Sequence, residues 1–167
     1  CESADTSPNG GNNTVTLEAS GGGAFGDGTY NDCTITVTDA AGNTSVSLSI
    51  PSFEIDASAP SAPVISNPTE GLYTNDNTPT IDGTAAGEDG SVVWIWNGGT
   101  VVGTDTVSGG SWSMTSGYLP DGTYTITGAT VDQANNTGAV TADRTFNVDT
   151  TPPVLAVVTA VADPTSD

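Results

Sequence analysis

Residues 120–153 read PDGTYTITGATVDQANNTGAVTADRTFNVDTTPP, and residues 26–60 read GDGTYNDCTITVTDAAGNTSVSLSIPSFEIDASAP. Both carry Asp-Gly-Thr-Tyr, an alternating run, Asp-x-Ala-x-Asn, a second run ending Phe-x-(Ile/Val)-Asp, and a Pro-containing linker. Alternation of period two is the pattern of a strand that gives one face to a core and the other to water. Gly, Asn and Asp between the runs are turn residues, because they tolerate positive φ or bond their own backbone. Asp56 and Asp149 hold the same place in the two copies, which sets a repeat of 93 residues. Self-similarity at a fixed spacing marks a repeat architecture, and a unit of that size suits a seven-stranded sandwich.

On this ruler one complete domain spans 60–152, residues 1–57 are the C-terminal half of a preceding one, and 153–167 supply the first strand of a following one. Strands are expected at Val64–Ser66, Thr78–Thr84, Ser91–Trp96, Thr100–Thr106, Ser111–Ser116, Thr123–Val131 and Asp143–Val148. Asn97-Gly98-Gly99 and Ser108-Gly109-Gly110 are expected to turn hairpins. A half-sandwich cannot bury its inner face. Its ends are therefore completed either by more of a longer polypeptide or by strand exchange between identical subunits in a filament.

Composition narrows the function. The 167 residues carry 20 Asp and Glu, a single cation (Arg144), no His, and a formal net charge of −19. Nucleic acid is excluded as a partner, since displacing counterions from phosphates needs clustered Lys and Arg. Attraction to an anionic membrane surface is excluded on the same ground. No apolar run approaches the ~18 residues of a membrane helix, so no membrane insertion is expected, and any export signal is expected outside this stretch. Without His or Lys the usual general bases are missing, and the chain reads as no enzyme. Cys1 and Cys33 are consistent with one disulfide in an oxidising compartment or two thiols in a reducing one. Cys1 ahead of a polar stretch also fits a lipidated first residue.

In these residues the sequence resembles the bacterial Ig-like repeats of large surface adhesins and biofilm-associated proteins. The resemblance rests on Asp121-Gly122-Thr123-Tyr124, Asp132-Gln133-Ala134-Asn135-Asn136 and Val148-Asp149-Thr150-Thr151-Pro152-Pro153, with partial twins at Asp27–Tyr30, Asp39–Asn43 and Ile55-Asp56. It implies an all-β fold of Ig-like antiparallel β-sandwich repeats in tandem, at the cell surface or outside the cell. It also implies a Cys1–Cys33 disulfide within the domain, although Cys33 has no counterpart in the second copy. Tyr30 and Tyr124 fit the tyrosine corner of such folds.

Carboxylates and amides together suit Ca²⁺, which takes 6–8 oxygen ligands. Members of the resembled families bind Ca²⁺ near domain junctions. Asp132, Asn136 and Asp149 are expected to converge at one junction, and Asp39, Asn43 and Asp56 at another, with Asp76 or Asp121 as further ligands. Two carboxylates ~6 Å apart repel by ~3 kcal/mol at an effective dielectric of 20, which a divalent ion relieves. The competing reading is plain turn chemistry, in which Asp and Asn bond their own backbone.

Val93-Trp94-Ile95-Trp96 is apolar on both faces, and the two Trp are expected in the core. If exposed, with Trp112 or Tyr118, they suit stacking on sugars. The expected function is an extracellular structural or adhesive module in a Ca²⁺-stiffened fibre, matrix filament or adhesin stalk. Its partners are neighbouring Ig-like domains or identical subunits, with a surface glycan or protein as a candidate ligand. The alternative is a carbohydrate- or protein-binding accessory domain of a secreted enzyme. The patterns Asn12-Asn13-Thr14, Asn43-Thr44-Ser45 and Asn135-Asn136-Thr137 read as turns rather than glycosylation sites.

Overall fold

The two alternating runs that follow each Asp-Gly-Thr-Tyr become paired strands in both copies. The computed structural model describes residues 1–3, 17–18, 23–39 and 41–156. In the first copy the strands are β1 (Glu2–Ser3), β2 (Leu17–Glu18), β3 (Gly28–Tyr30), β4 (Thr34–Ile35), β5 (Leu48–Ser49) and β6 (Phe53–Ile55). The second holds β7 (Val64–Asn67), β8 (Leu72–Thr74), β9 (Thr80–Thr84), β10 (Val92–Asn97), β11 (Thr100–Thr106), β12 (Ser111–Thr115), β13 (Gly122–Val131) and β14 (Arg144–Val148).

A five-stranded sheet in the order β11-β10-β13-β14-β8 faces a three-stranded sheet in the order β12-β9-β7, with every pair antiparallel except β14 and β8. This is the expected sandwich with one more strand. The added strand, β8, is only three residues long, too short for alternation to show. In the first copy β1 pairs with β2, β3 with β6 and β4 with β5. Gly28 pairs with Ile55 as Gly122 pairs with Val148, so the shared motif has the same register in both copies.

Gly98, Gly99, Gly109 and Gly110 all have positive φ, which explains glycine at both hairpin turns. No helix among the described residues is long and apolar enough to cross a membrane. Val154 and Leu155 are exposed and outside any strand. The rest of the expected strand, Val157 and Val158, lies outside the described residues, as do the Asn12 pattern and most of the polar stretch after Cys1.

Between the sheets, Ile65, Ile81, Trp112 and Met114 from one side meet Val93, Ile95, Ile126, Phe146 and Val148 from the other. The expectation that Trp94 and Trp96 fill this core is overturned. Val93 and Ile95 are fully buried, whereas Trp94 is 37% exposed and stacks on Trp96 on the outer face of β10. The reason is volume. The indole in the core is Trp112, reaching in from the opposite sheet over Gly83, its cross-strand partner, where a Cβ would crowd the ring.

Both expected tyrosine corners are closed: Tyr124 donates to the Pro120 carbonyl at 2.7 Å and Tyr30 to the Gly26 carbonyl at 2.9 Å. Arg144 donates to the Ile65 carbonyl at 2.9 Å, beside the register shift where β7 bulges against β9. The sole cationic side chain thus serves a backbone carbonyl next to an irregularity in the ladder.

Candidate functional site

The Asp-x-Ala-x-Asn segments form the same closed turn twice. Asn136 donates its backbone N–H to Asp132 Oδ1 at 2.8 Å and its side-chain amide to Asp132 Oδ2 at 2.9 Å. Asn43 makes the identical pair of bonds to Asp39, at 2.8 and 2.9 Å. The residue before the Asn has positive φ in both, Asn135 at 68° and Gly42 at 92°. Asn and Gly are the residues that tolerate this conformation. The bonds from the Asn43 side chain, then its backbone N–H, hold the Asp39 carboxyl below its ordinary pKa.

The aspartates of Asp-Gly-Thr-Tyr clamp the linker that follows the last strand. Asp121 accepts from Thr150 N at 2.9 Å and from the Thr150 and Thr151 hydroxyls, each at 2.7 Å. Asp27 accepts from Ala57 N at 2.9 Å and from the Ser58 hydroxyl. Those side-chain bonds first, then the backbone ones, lower both carboxyl pKa values. Asp56, Asp149 and Asp76 each accept from a backbone N–H two residues on, at Ser58, Thr151 and Thr78. A residue pattern that invites a metal reading is here also fully consistent with turn chemistry.

The expected convergence of Asp132, Asn136 and Asp149 does not occur. β14 runs antiparallel to β13, with Val148 opposite Gly122, so Asp149 returns to the start of β13 while Asp132 follows its end. Ten residues of strand put roughly 30 Å between those ends. Asp149 shares its end with Asp121 and with Asp76, since its N–H donates to the Thr74 carbonyl at 2.9 Å. Asp56 likewise sits by Asp27, and Asp39 and Asn43 bond each other. Among the described residues no three acidic or sulfur ligands gather in a group that holds a metal.

Something else does converge, and it joins the two copies. The second amide hydrogen of Asn136 goes to the Asp56 carbonyl, at 2.9 Å, across 80 residues of chain. Around it, Glu54 and Asp56 of the first copy and Gln133 and Ala134 of the second line a cleft of about 440 Å³. The linker is docked as it leaves: Pro60 is buried, its carbonyl lies against buried Gly138, and Ser61 N donates to Glu88 Oε1 at 3.2 Å. Gly138 and Glu88 carry no local signal for this role. The hint in the sequence is that the first copy has Ser45 at the place of Gly138.

A family model described as a bacterial Ig-like domain matches residues 67–150. Among solved structures, the chain is similar to the fibronectin(III)-like modules of Clostridium thermocellum CbhA, at 19% identity and a TM-score of 0.42. That likeness covers 52% of this chain and 45% of the other. It is also similar to the BSP domain of a biofilm associated protein, at 23% identity and a TM-score of 0.42, over 77% of this chain and 20% of that one. The chain thus spans less than half the length of either. No curated protein matches it.

Proposed function

The chain belongs to the bacterial Ig-like domain family, and from that we propose that it is a structural repeat module of an extracellular array: a surface fibre, matrix filament or adhesin stalk. The observation that carries this reading is duplication of construction. Tyrosine corner, linker clamp and Asp-x-x-x-Asn turn recur in both copies, at Tyr30, Asp27 and Asp39 and again at Tyr124, Asp121 and Asp132, with the Thr150 hydroxyl adding one bond to the second clamp. A clamp on the segment leaving each domain has a use where another domain follows. The net charge of −19 keeps such rods apart from one another and from phosphate surfaces. Without His or Lys, the work proposed is mechanical and adhesive rather than catalytic.

Small-angle scattering tests the array reading. The expected particle is elongated, with a radius of gyration well above the ~15 Å of a single compact globule of this chain length. A value near that figure would sink the proposal.

A second reading, a carbohydrate-binding module, is favoured by one observation: Trp94 lies outward on the sheet and stacks at 6.3 Å between centroids on Trp96. Indole faces suit the apolar faces of neutral sugars. Titration with a soluble neutral glucan is expected to shift Trp emission in the native chain and not in Trp94→Ala. An unchanged spectrum at millimolar glucan removes this reading.

A further inference from the structure

A primary amide has two hydrogens, and the Asp132–Asn136 turn uses only one of Asn136's to hold itself together. The other goes to the Asp56 carbonyl. We infer that the face made by Glu88, Gln133, Asn136 and Gly138 is a docking surface for the tail of the preceding Ig-like copy. It fixes the angle between copies by direct contact and without a metal ion. The inference rests on the array reading and adds what that reading lacks, the identity of the joint.

The occupant is defined by chemistry: a strand-end Asp carbonyl followed, four residues on, by a proline that can be buried. Asp56 with Pro60 fills the face here, and Asp149 with Pro153 repeats the same spacing one repeat later. The partner implied for this second tail is therefore another copy carrying the same face. Asp132 prepares the donor, because its carboxylate fixes the Asn136 amide so that the free N–H is already aimed. A donor held in place loses little further entropy on docking. Gly138 gives room, since a Cβ there would overlap the Pro60 carbonyl oxygen. Charge explains why the contact is made through an amide and a carbonyl: with Glu54 and Asp56 both at the cleft, a carboxylate in place of Asn136 would add like charge at short range.

The first copy makes an internal control. Its Asn43 is held by Asp39 just as Asn136 is by Asp132, yet it has Ser45 where Gly138 stands. The local turn thus forms with a side chain at that position, with Ser45 N bonded to the Val37 carbonyl as Gly138 N is to Thr130. Gly138→Ser is accordingly a variant that removes the docking face and keeps the fold.

The test is residual dipolar coupling NMR on the whole chain, in EDTA. The native chain is expected to fit one alignment tensor for residues 64–148 and the described strands of the first copy together. Gly138→Ser is expected to lose the common tensor, splitting into two, while amide shifts away from residues 56–63 and 132–140 stay in place. Two tensors in the native chain, merging only on addition of Ca²⁺, would overturn direct docking in favour of a metal joint. A common tensor that survives Gly138→Ser would also overturn it. Either failure leaves an elongated particle in scattering, whereas failure of the array reading does not, so the two are told apart.

Discussion

Trp112→Ala should destabilise the sandwich between Val64 and Val148 by about 3–5 kcal/mol, the usual cost of emptying a large aromatic site in a core. Trp112 is 3% exposed and enters the core over Gly83. At roughly 4–8 °C per kcal/mol for a domain of this size, the melting temperature should fall by at least about 12 °C. Trp94→Ala should cost only about 1 kcal/mol, the worth of its stacking on Trp96. Trp112→Phe should do less harm than the lost volume suggests. Trp112 Nε1 is buried with no hydrogen-bond partner among the described residues, and removing an orphaned donor returns about 1–3 kcal/mol. Calorimetry should rank Trp112→Ala as the most damaging change, Trp112→Phe next and Trp94→Ala as the mildest. Equal losses from the two alanine substitutions would reverse the assignment of which indole is in the core.

Those two tryptophans also mark where the sequence stops being decisive. Alternation places Trp94 and Trp96 on one face and Val93 and Ile95 on the other, and this is what the structure has. Alternation does not say which apolar face turns inward. The answer depends on which residues the opposite sheet brings, and Trp112 arrives from a strand whose pairing with β9 is not written locally. The aspartates follow the same logic. Their turns are legible because Asp-x-Ala-x-Asn bonds within itself, over four residues. Where Asp149 lies relative to Asp132 is set by the direction in which β14 returns along β13, a property of topology. Spacing along the chain brought them together on paper; antiparallel pairing holds them a strand's length apart. The joint between copies needed the structure most, since Asn136 and Asp56 are 80 residues apart and neither is unusual in its own neighbourhood.

Reduction of the Cys1–Cys33 disulfide should unfold the first copy and spare the second. The bond closes a loop of sequence separation 32, and opening it returns roughly 3.7 kcal/mol of chain entropy to the unfolded state. The described residues of the first copy have little with which to absorb that loss. Among the described residues of 1–57 only Cys33 is buried, while Leu48 and Val46 are largely exposed, and the best-packed group is the ring cluster of Phe25, Tyr30 and Phe53. Folded domains carry a margin of about 5–15 kcal/mol, so a unit whose described residues bury this little sits where roughly 3.7 kcal/mol decides. Between Val64 and Val148 there is no cysteine and a full core, and its fold does not depend on the bond. Adding a phosphine reductant is therefore expected to collapse the amide dispersion of residues 23–55 and leave that of 64–148 intact, except at the docking face, where Asn136 and Gly138 should shift as the tail loses its fixed shape. If both sets of resonances persist on reduction, the first copy is held by packing alone. The expected loss ties folding of this copy to an oxidising compartment, the same place that an extracellular array requires.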